Sequence, residues 1–295
     1  MPKENTNTGS SRPWPEAMER GRVGDAAFAA AYARVADRER AWIKTGAAAL
    51  FAACGGPAPR GRRQETVCGH DLCLAWDERP VDFALVVCGP TFASPARLAG
   101  AVMPALCARV PEVAAVRVGG AWPKPLLTTL ELCGVEAVFR LGVRAFAGLG
   151  SALAERGSGV VVLLDGVAAP AWSAPAPAVV SARTSGRLGV FPGSGAAFDW
   201  DALAFAHPDR TICVHDAPCP EAAPFLAASG GLAAAAGLDY AAIFTGEDML
   251  EAALGVAPLA LGPGREMFWL WPGITPETFR RKRLRASVLH APAVW

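Results

Sequence analysis

The chain has 295 residues, 52% hydrophobic and 19% charged, enough apolar material for a sizeable core, and this excludes global disorder. Twenty-eight basic residues against 27 acidic ones leave a net charge of +1, which argues against a dedicated nucleic-acid binder. Eight cysteines with no CxxC pair, in a chain too long to need a disulfide framework, point to a reducing compartment.

Residues 1–24 are polar and punctuated by proline and glycine, and predict a flexible tail without an apolar leader core. From Asp25 the pattern turns helical until Gly55-Gly56 stops it. Residues 65–76, ETVCGHDLCLAW, alternate and predict an extended strand or hairpin arm. Short apolar runs then predict buried strands at 83–87, 114–118, 137–141, 160–164, 187–191, 211–215 and 241–244. Helical stretches fall at Pro95–Arg109, Lys124–Cys133, Arg144–Arg156, Glu221–Ala236 and Asp248–Leu254. This alternation predicts an α/β fold, with parallel sheets covered by helices on both faces. The charge-free stretch 166–182 is broken by prolines and cannot be a membrane helix, so a soluble, cytoplasmic protein is expected. The end, from Ile274 onward, is basic and proline-broken.

Few local motifs carry chemistry. No G-x-x-x-x-G-K-[ST] sequence is present, which excludes a P-loop. The turn Gly89-Pro90-Thr91 follows a predicted strand and precedes a helix that Ser94-Pro95 would cap. Ligands are captured at such a strand's carboxyl end, although an ordinary βα turn reads the same way. The one local Cys/His cluster is Cys68-Gly-His70-Asp-Leu-Cys73. On a single strand Cys68 and His70 share a face and Cys73 points to the other, and zinc sites use tighter cysteine spacing. A last loop, His215 to Glu221, brings His215, Cys219 and Glu221 to the end of a predicted strand. A Cys–His nucleophile pair is one reading of it, and Glu221 in the first turn of a helix is the other.

The order of segments resembles the histidinol dehydrogenase family, from about Ala26 to Leu289. The residues that carry the resemblance are Ala30-Ala31-Tyr32-Ala33-Arg34, VDFALVVCGPTFASP (81–95), LELCGVEAVFRLG (130–142), VVVLLDGVAAPAW (160–172), CPEAA (219–223), LDYAAIFTG (238–246) and GITPETFRRKR (273–283). The resemblance implies two small, incomplete Rossmann-like subdomains, one inserted in the other, after an N-terminal helical segment. It places the first subdomain at 25–91 and 159–270, the inserted one at 92–158, and a tail at 271–295 that reaches a partner subunit in a homodimer.

The family oxidises its substrate with zinc, NAD and an adjacent Glu-His pair. Here that pair reads Glu221-Ala222, so the histidine base is missing. Two zinc-ligand positions fall near Val180 and Arg183, neither of which ligates zinc, and a third falls near Leu254-Gly255. The family's GPGN cofactor loop has no counterpart between 143 and 159. The expectation is therefore a catalytically degenerate relative that binds a small molecule or serves in assembly, with Glu221 vestigial and a pocket at Gly89, Pro90, Thr91, Ser94, His215 and Cys219. On this reading zinc is not bound, and NAD is an optional cofactor. No nucleic-acid or membrane partner is expected, because the run Arg280 to Arg285 is short and the chain is neutral. The alternative is an oxidoreductase, either of the family's NAD-dependent type or with altered chemistry around Cys219 and Glu221.

Overall fold

The computed structural model describes residues 13–58, 63–69, 72–193 and 195–288. Its centre is a parallel five-stranded sheet of β3 (Phe83–Cys88), β4 (Glu112–Val118), β5 (Ala137–Leu141), β6 (Gly159–Leu163) and β7 (Ala178–Ser181). Their spatial order is β5-β4-β3-β6-β7. Every residue of β3 is buried, because helices cover both faces of the sheet and the apolar run need not alternate. On one face Ala84, Val86 and Cys88 meet α4 (Pro95–Cys107) and α5 (Lys124–Leu132). On the other, Phe83, Leu85 and Val87 meet α6 (Val143–Ala147), α7 (Gly150–Ala154) and the N-terminal Trp14 and Met18.

A second parallel sheet holds β8 (Arg187–Phe191), β9 (Ile212–His215), β10 (Phe225–Ala228), β11 (Tyr240–Thr245) and β12 (Ala260–Leu261). Its order is β10-β9-β8-β11-β12. Each sheet begins at its centre, grows to one edge and then crosses back over its first strand. The same topology thus occurs twice in a sequence with no repeat. Both sheets share one core, in which Val190, Val214 and Phe244 of the second join Trp269 and Trp271 and the α4 side chains Leu98 and Val102. Helix α3 (Asp37–Ala53) and α4 press so closely on the 267–271 strap that a Cβ on Gly46 would lie 2.5 Å from the Met267 carbonyl oxygen. Phe268, Trp269 and Trp271 therefore serve burial, with Trp269 and Trp271 at 1% and 3% exposure.

The third element is an antiparallel arm of β1 (Arg63–Gly69), β2 (Leu72–Pro80) and β13 (Arg280–Val288), in the order β1-β2-β13. The hairpin arm expected at 65–76 is β1 paired to β2. The basic run at 280–285 is a strand whose Lys282 and Arg283 stand opposite Glu78 and Asp77, so its charge is answered across the sheet. Among the described residues no helix is long and apolar enough to cross a membrane.

Four expectations need correction. The first is the division at 91/92 and 158/159, which cuts through one sheet. Strand β3 pairs with both β4 and β6, so the sheets separate near 182–186 and not by insertion of 92–158. Second, residues 13–24 are not a loose tail. Helix α1 (Glu16–Glu19) buries Met18 completely, and Arg22 bridges to Phe139. Third, Glu221–Ala236 is not one helix: Pro224 lacks an N–H and Gly230 has φ +95°, and the segment forms the edge strand β10 and a single 3-10 turn at Leu232–Ala235. Fourth, the helical stretch from Asp25 divides at Val35-Ala36 into α2 (Asp25–Arg34) and α3. His70 and His290 lie outside the described residues.

Candidate functional site

Strand order locates the most concave edge of the first sheet. Between β3 and β6 the chain leaves the sheet in opposite directions, and ligands of open α/β sheets bind at the carboxyl side of such a switch point. The loop after β3, Gly89 to Ala93, and the loop after β6, Leu164 to Ala168, border a cleft of about 580 Å³. Thr91, Gly166, Arg183 and Ser185 are among its walls, and Asp209 and Arg210, which precede β9, close its far side. Close packing fixes the loops: a Cβ on Gly89 would stand 2.9 Å from the Gly166 carbonyl oxygen. Arg117 secures the same turn by donating to the Pro90 and Phe92 carbonyls, each at 2.6 Å.

The floor is a charge network around Arg97, which is only 1% exposed. Arg97 sits in the first turn of α4 and donates to Asp165 at 2.5 Å and to Asp209. Asp165 also accepts from the Thr184 N–H at 2.9 Å and from Arg210 Nη2 at 2.5 Å. Arg210 donates in addition to the Thr184 carbonyl at 2.8 Å. Asp209 takes the Ala93 N–H at 2.8 Å, so one carboxylate holds both the residue before the Ser94 cap of α4 and the Arg97 guanidinium. Burial pulls the Arg97 pKa below its ordinary value, against the pull of Asp209 and Asp165. Arg183, on the outer wall, differs from the others. It is exposed, and among the described residues it donates to the Val167 carbonyl at 3.3 Å. Three arginines against two aspartates leave this cleft with an excess positive charge.

The structure places the expected site residues in three separate settings. Thr91 lines the cleft, and Gly89 and Pro90 support it from behind. Ser94 is fully buried and caps α4: its Oγ accepts from the Arg97 N–H at 3.1 Å and donates to the Ala206 carbonyl at 2.5 Å. His207 Nδ1 lies 3.3 Å from that hydroxyl, and burial keeps this imidazole neutral by holding its pKa well below the usual value. His215, Cys219 and Glu221 line no part of the cleft. His215 is buried and stacks on Phe191 with centroids 4.1 Å apart. Its Nδ1 donates to the Gly230 carbonyl at 2.9 Å, and its Nε2 meets the Tyr240 hydroxyl at 2.7 Å. Both ring nitrogens are therefore engaged, and the Cys219–His215 pair is not formed. Cys219 faces the Pro220 carbonyl at 3.5 Å, and Glu221 is exposed.

At the two positions where the resemblance put zinc ligands, Val180 lies on β7 and Arg183 is a permanent cation, and neither side chain ligates zinc. Among the described residues no three His, Cys, Asp or Glu side chains converge. Asp165, Asp209, Arg210 and Thr184 escaped the sequence reading. The only signal for them was position: Asp165-Gly166 directly after a predicted strand, and Asp209-Arg210 directly before one.

No protein-family model matches the chain, and no curated protein matches it in sequence. Solved structures do match. Histidinol dehydrogenase from Elizabethkingia anophelis superposes with a TM-score of 0.56 at 11% identity, over 91% of this chain and 77% of that one. Succinate-semialdehyde dehydrogenase from Burkholderia pseudomallei gives 0.50 at 10% identity, over 89% and 84%. An NAD-dependent benzaldehyde dehydrogenase from Corynebacterium glutamicum gives 0.47 at 12% identity, over 92% and 88%. The chain has a dehydrogenase-like, Rossmann-like α/β fold.

Proposed function

We propose that this protein binds a small anionic metabolite, a carboxylate or phosphate ester, in the switch-point cleft of its first sheet, and that it is not a zinc-dependent dehydrogenase. The observation that carries the reading is Arg183: an exposed guanidinium on a concave wall, with no carboxylate partner among the described residues. A bidentate anion matches that group in geometry and charge. Thr91 and the loop at Gly166 supply neutral polar partners on the opposite wall. Against a dehydrogenase stand the Asp209 carboxylate just ahead of α4, the engaged His215 and the lack of metal donors at Val180 and Arg183. NAD(P) belongs among the ligands to test, on the strength of the fold alone.

The test is thermal stability of the full chain against carboxylates, phosphate esters, NAD, NADPH, and zinc with histidinol. A ligand that binds only the folded chain raises the midpoint by mass action, about 2.7 kcal/mol at a hundredfold excess over Kd. The expected result is a shift from one anionic class that Arg183→Ala abolishes. Stabilisation by zinc with histidinol, together with NADH formation, would overturn the reading and establish the oxidoreductase.

A further inference from the structure

The Cys68–Cys73 segment does not lie on one strand. Strand β1 ends at Gly69, β2 begins at Leu72, and the two run antiparallel with Cys68 directly opposite Cys73. Directly opposed residues of an antiparallel pair share a face, so both thiols point to the same side. Their sulfurs are 2.6 Å apart, and both cysteines are free. Directly opposed residues of an antiparallel pair have Cα atoms about 4.5–5.5 Å apart, within the roughly 4.4–6.8 Å that a disulfide spans. Cys68 is exposed and Cys73 half-buried, so a small reagent reaches the pair. On the far side of β2 the residue opposite Cys73 is Ser287, so β13 offers no competing thiol at that position.

We infer that Cys68 and Cys73 form a reversible dithiol–disulfide site at the tip of the antiparallel arm, oxidised by low-molecular-weight disulfides. The chemistry is thiol–disulfide exchange. The Cys68 thiolate attacks one sulfur of the small disulfide, forming a mixed disulfide and releasing one small thiol. The Cys73 thiolate then attacks Cys68 Sγ, the Cys68–Cys73 bond forms, and the second small thiol leaves. Two protein thiols lose two electrons and two protons, and the small disulfide becomes two thiols. Hydrogen bonding between the thiols raises the Cys68 pKa above its ordinary value, so exchange is faster at mildly alkaline pH than at neutrality. The bond joins β1 to β2 beside their connection, where Val67 and Leu72 are exposed apolar side chains, and fixes that end of the arm.

The probe is oxidised and reduced glutathione in defined ratios, applied to the full chain and to the same chain in urea. Asp-N proteolysis before Asp71 separates the two cysteines, so a non-reduced digest reports the crosslink as one joined peptide that reduction splits. The expected result is a crosslinking equilibrium constant at least about tenfold larger in the folded chain, with reversal by reduced glutathione. The Cys73→Ser variant should retain a glutathione adduct on Cys68 that the parent resolves. An equal or smaller constant in the folded chain, or persistent adducts on Cys68 of the parent, overturns the inference.

Discussion

Replacing Arg97 with Met keeps the stem of the side chain and removes its charge. In the folded chain this strips one cation from two partners, Asp165 and Asp209, whose side chains are 19% and 15% exposed. Neither carboxylate is left wholly bare. Asp165 retains Arg210 and the Thr184 N–H, and Asp209 retains the Ala93 N–H. Breaking one side of a buried ion pair costs about 3–5 kcal/mol, and these remaining partners place Arg97→Met near the lower end, about 3 kcal/mol. At roughly 2–4 °C per kcal/mol for a chain of this size class, the midpoint falls by about 6–12 °C. Denaturant unfolding followed by tryptophan fluorescence measures the loss, and the cycle with Asp209→Asn isolates the coupling, expected at about 1–3 kcal/mol. An Arg97→Met variant within about 1 kcal/mol of the parent would show that the network is solvated and does not bind the two sheets together.

Three further outcomes follow from the same packing. Gly100→Ala gains intrinsic helix propensity, yet its new Cβ would run into the Trp269 carbonyl oxygen, so the variant is expected to lose at least about 2 kcal/mol by denaturant midpoint. His207 is neutral when folded, whereas its unfolded form takes a proton below about pH 6.5. The unfolded state then binds more protons, so stability falls on acidification by about 1.4 kcal/mol per pH unit from this group, and His207→Asn should flatten that acid limb between pH 6 and pH 5. Burial pushes the Cys88 thiol up to about 12, so labelling at pH 8 should leave it unmodified until the chain unfolds, while the exposed Cys68 is labelled in the folded chain.

The strands of both sheets were legible where they are short apolar runs, mostly buried. The run at 187–191 matches β8 residue for residue, and that at 137–141 matches β5, because apolar residues bounded by glycine or polar residues admit few other readings. What escaped was set by partners remote in sequence. Strand β10 is four residues of Phe, Leu and Ala, a helix-prone composition, and only pairing with β9 makes it extended. Strand β13 reads as a charged tail until Glu78 and Asp77 are found across from it. The candidate site was half legible. The turn at Gly89-Pro90-Thr91 follows an obvious strand, but Arg183 and Asp209 are single residues in loops whose convergence is a product of topology. The loop at His215 misled for the opposite reason. Its residue types suggest reactivity, and only the structure reveals that Gly230 and Tyr240 absorb the imidazole.

Asp209 joins the two sheets at the carboxyl edge of β3. The start of α4 carries the partial positive charge of its unpaired amides, and the buried Arg97 adds a full one. Asp209 reaches it from the segment before β9 and satisfies the Ala93 amide and the Arg97 guanidinium together. The same carboxylate therefore ties the second sheet to the first and neutralises the edge. Arg183, which has no carboxylate partner among the described residues, stands further out on the wall.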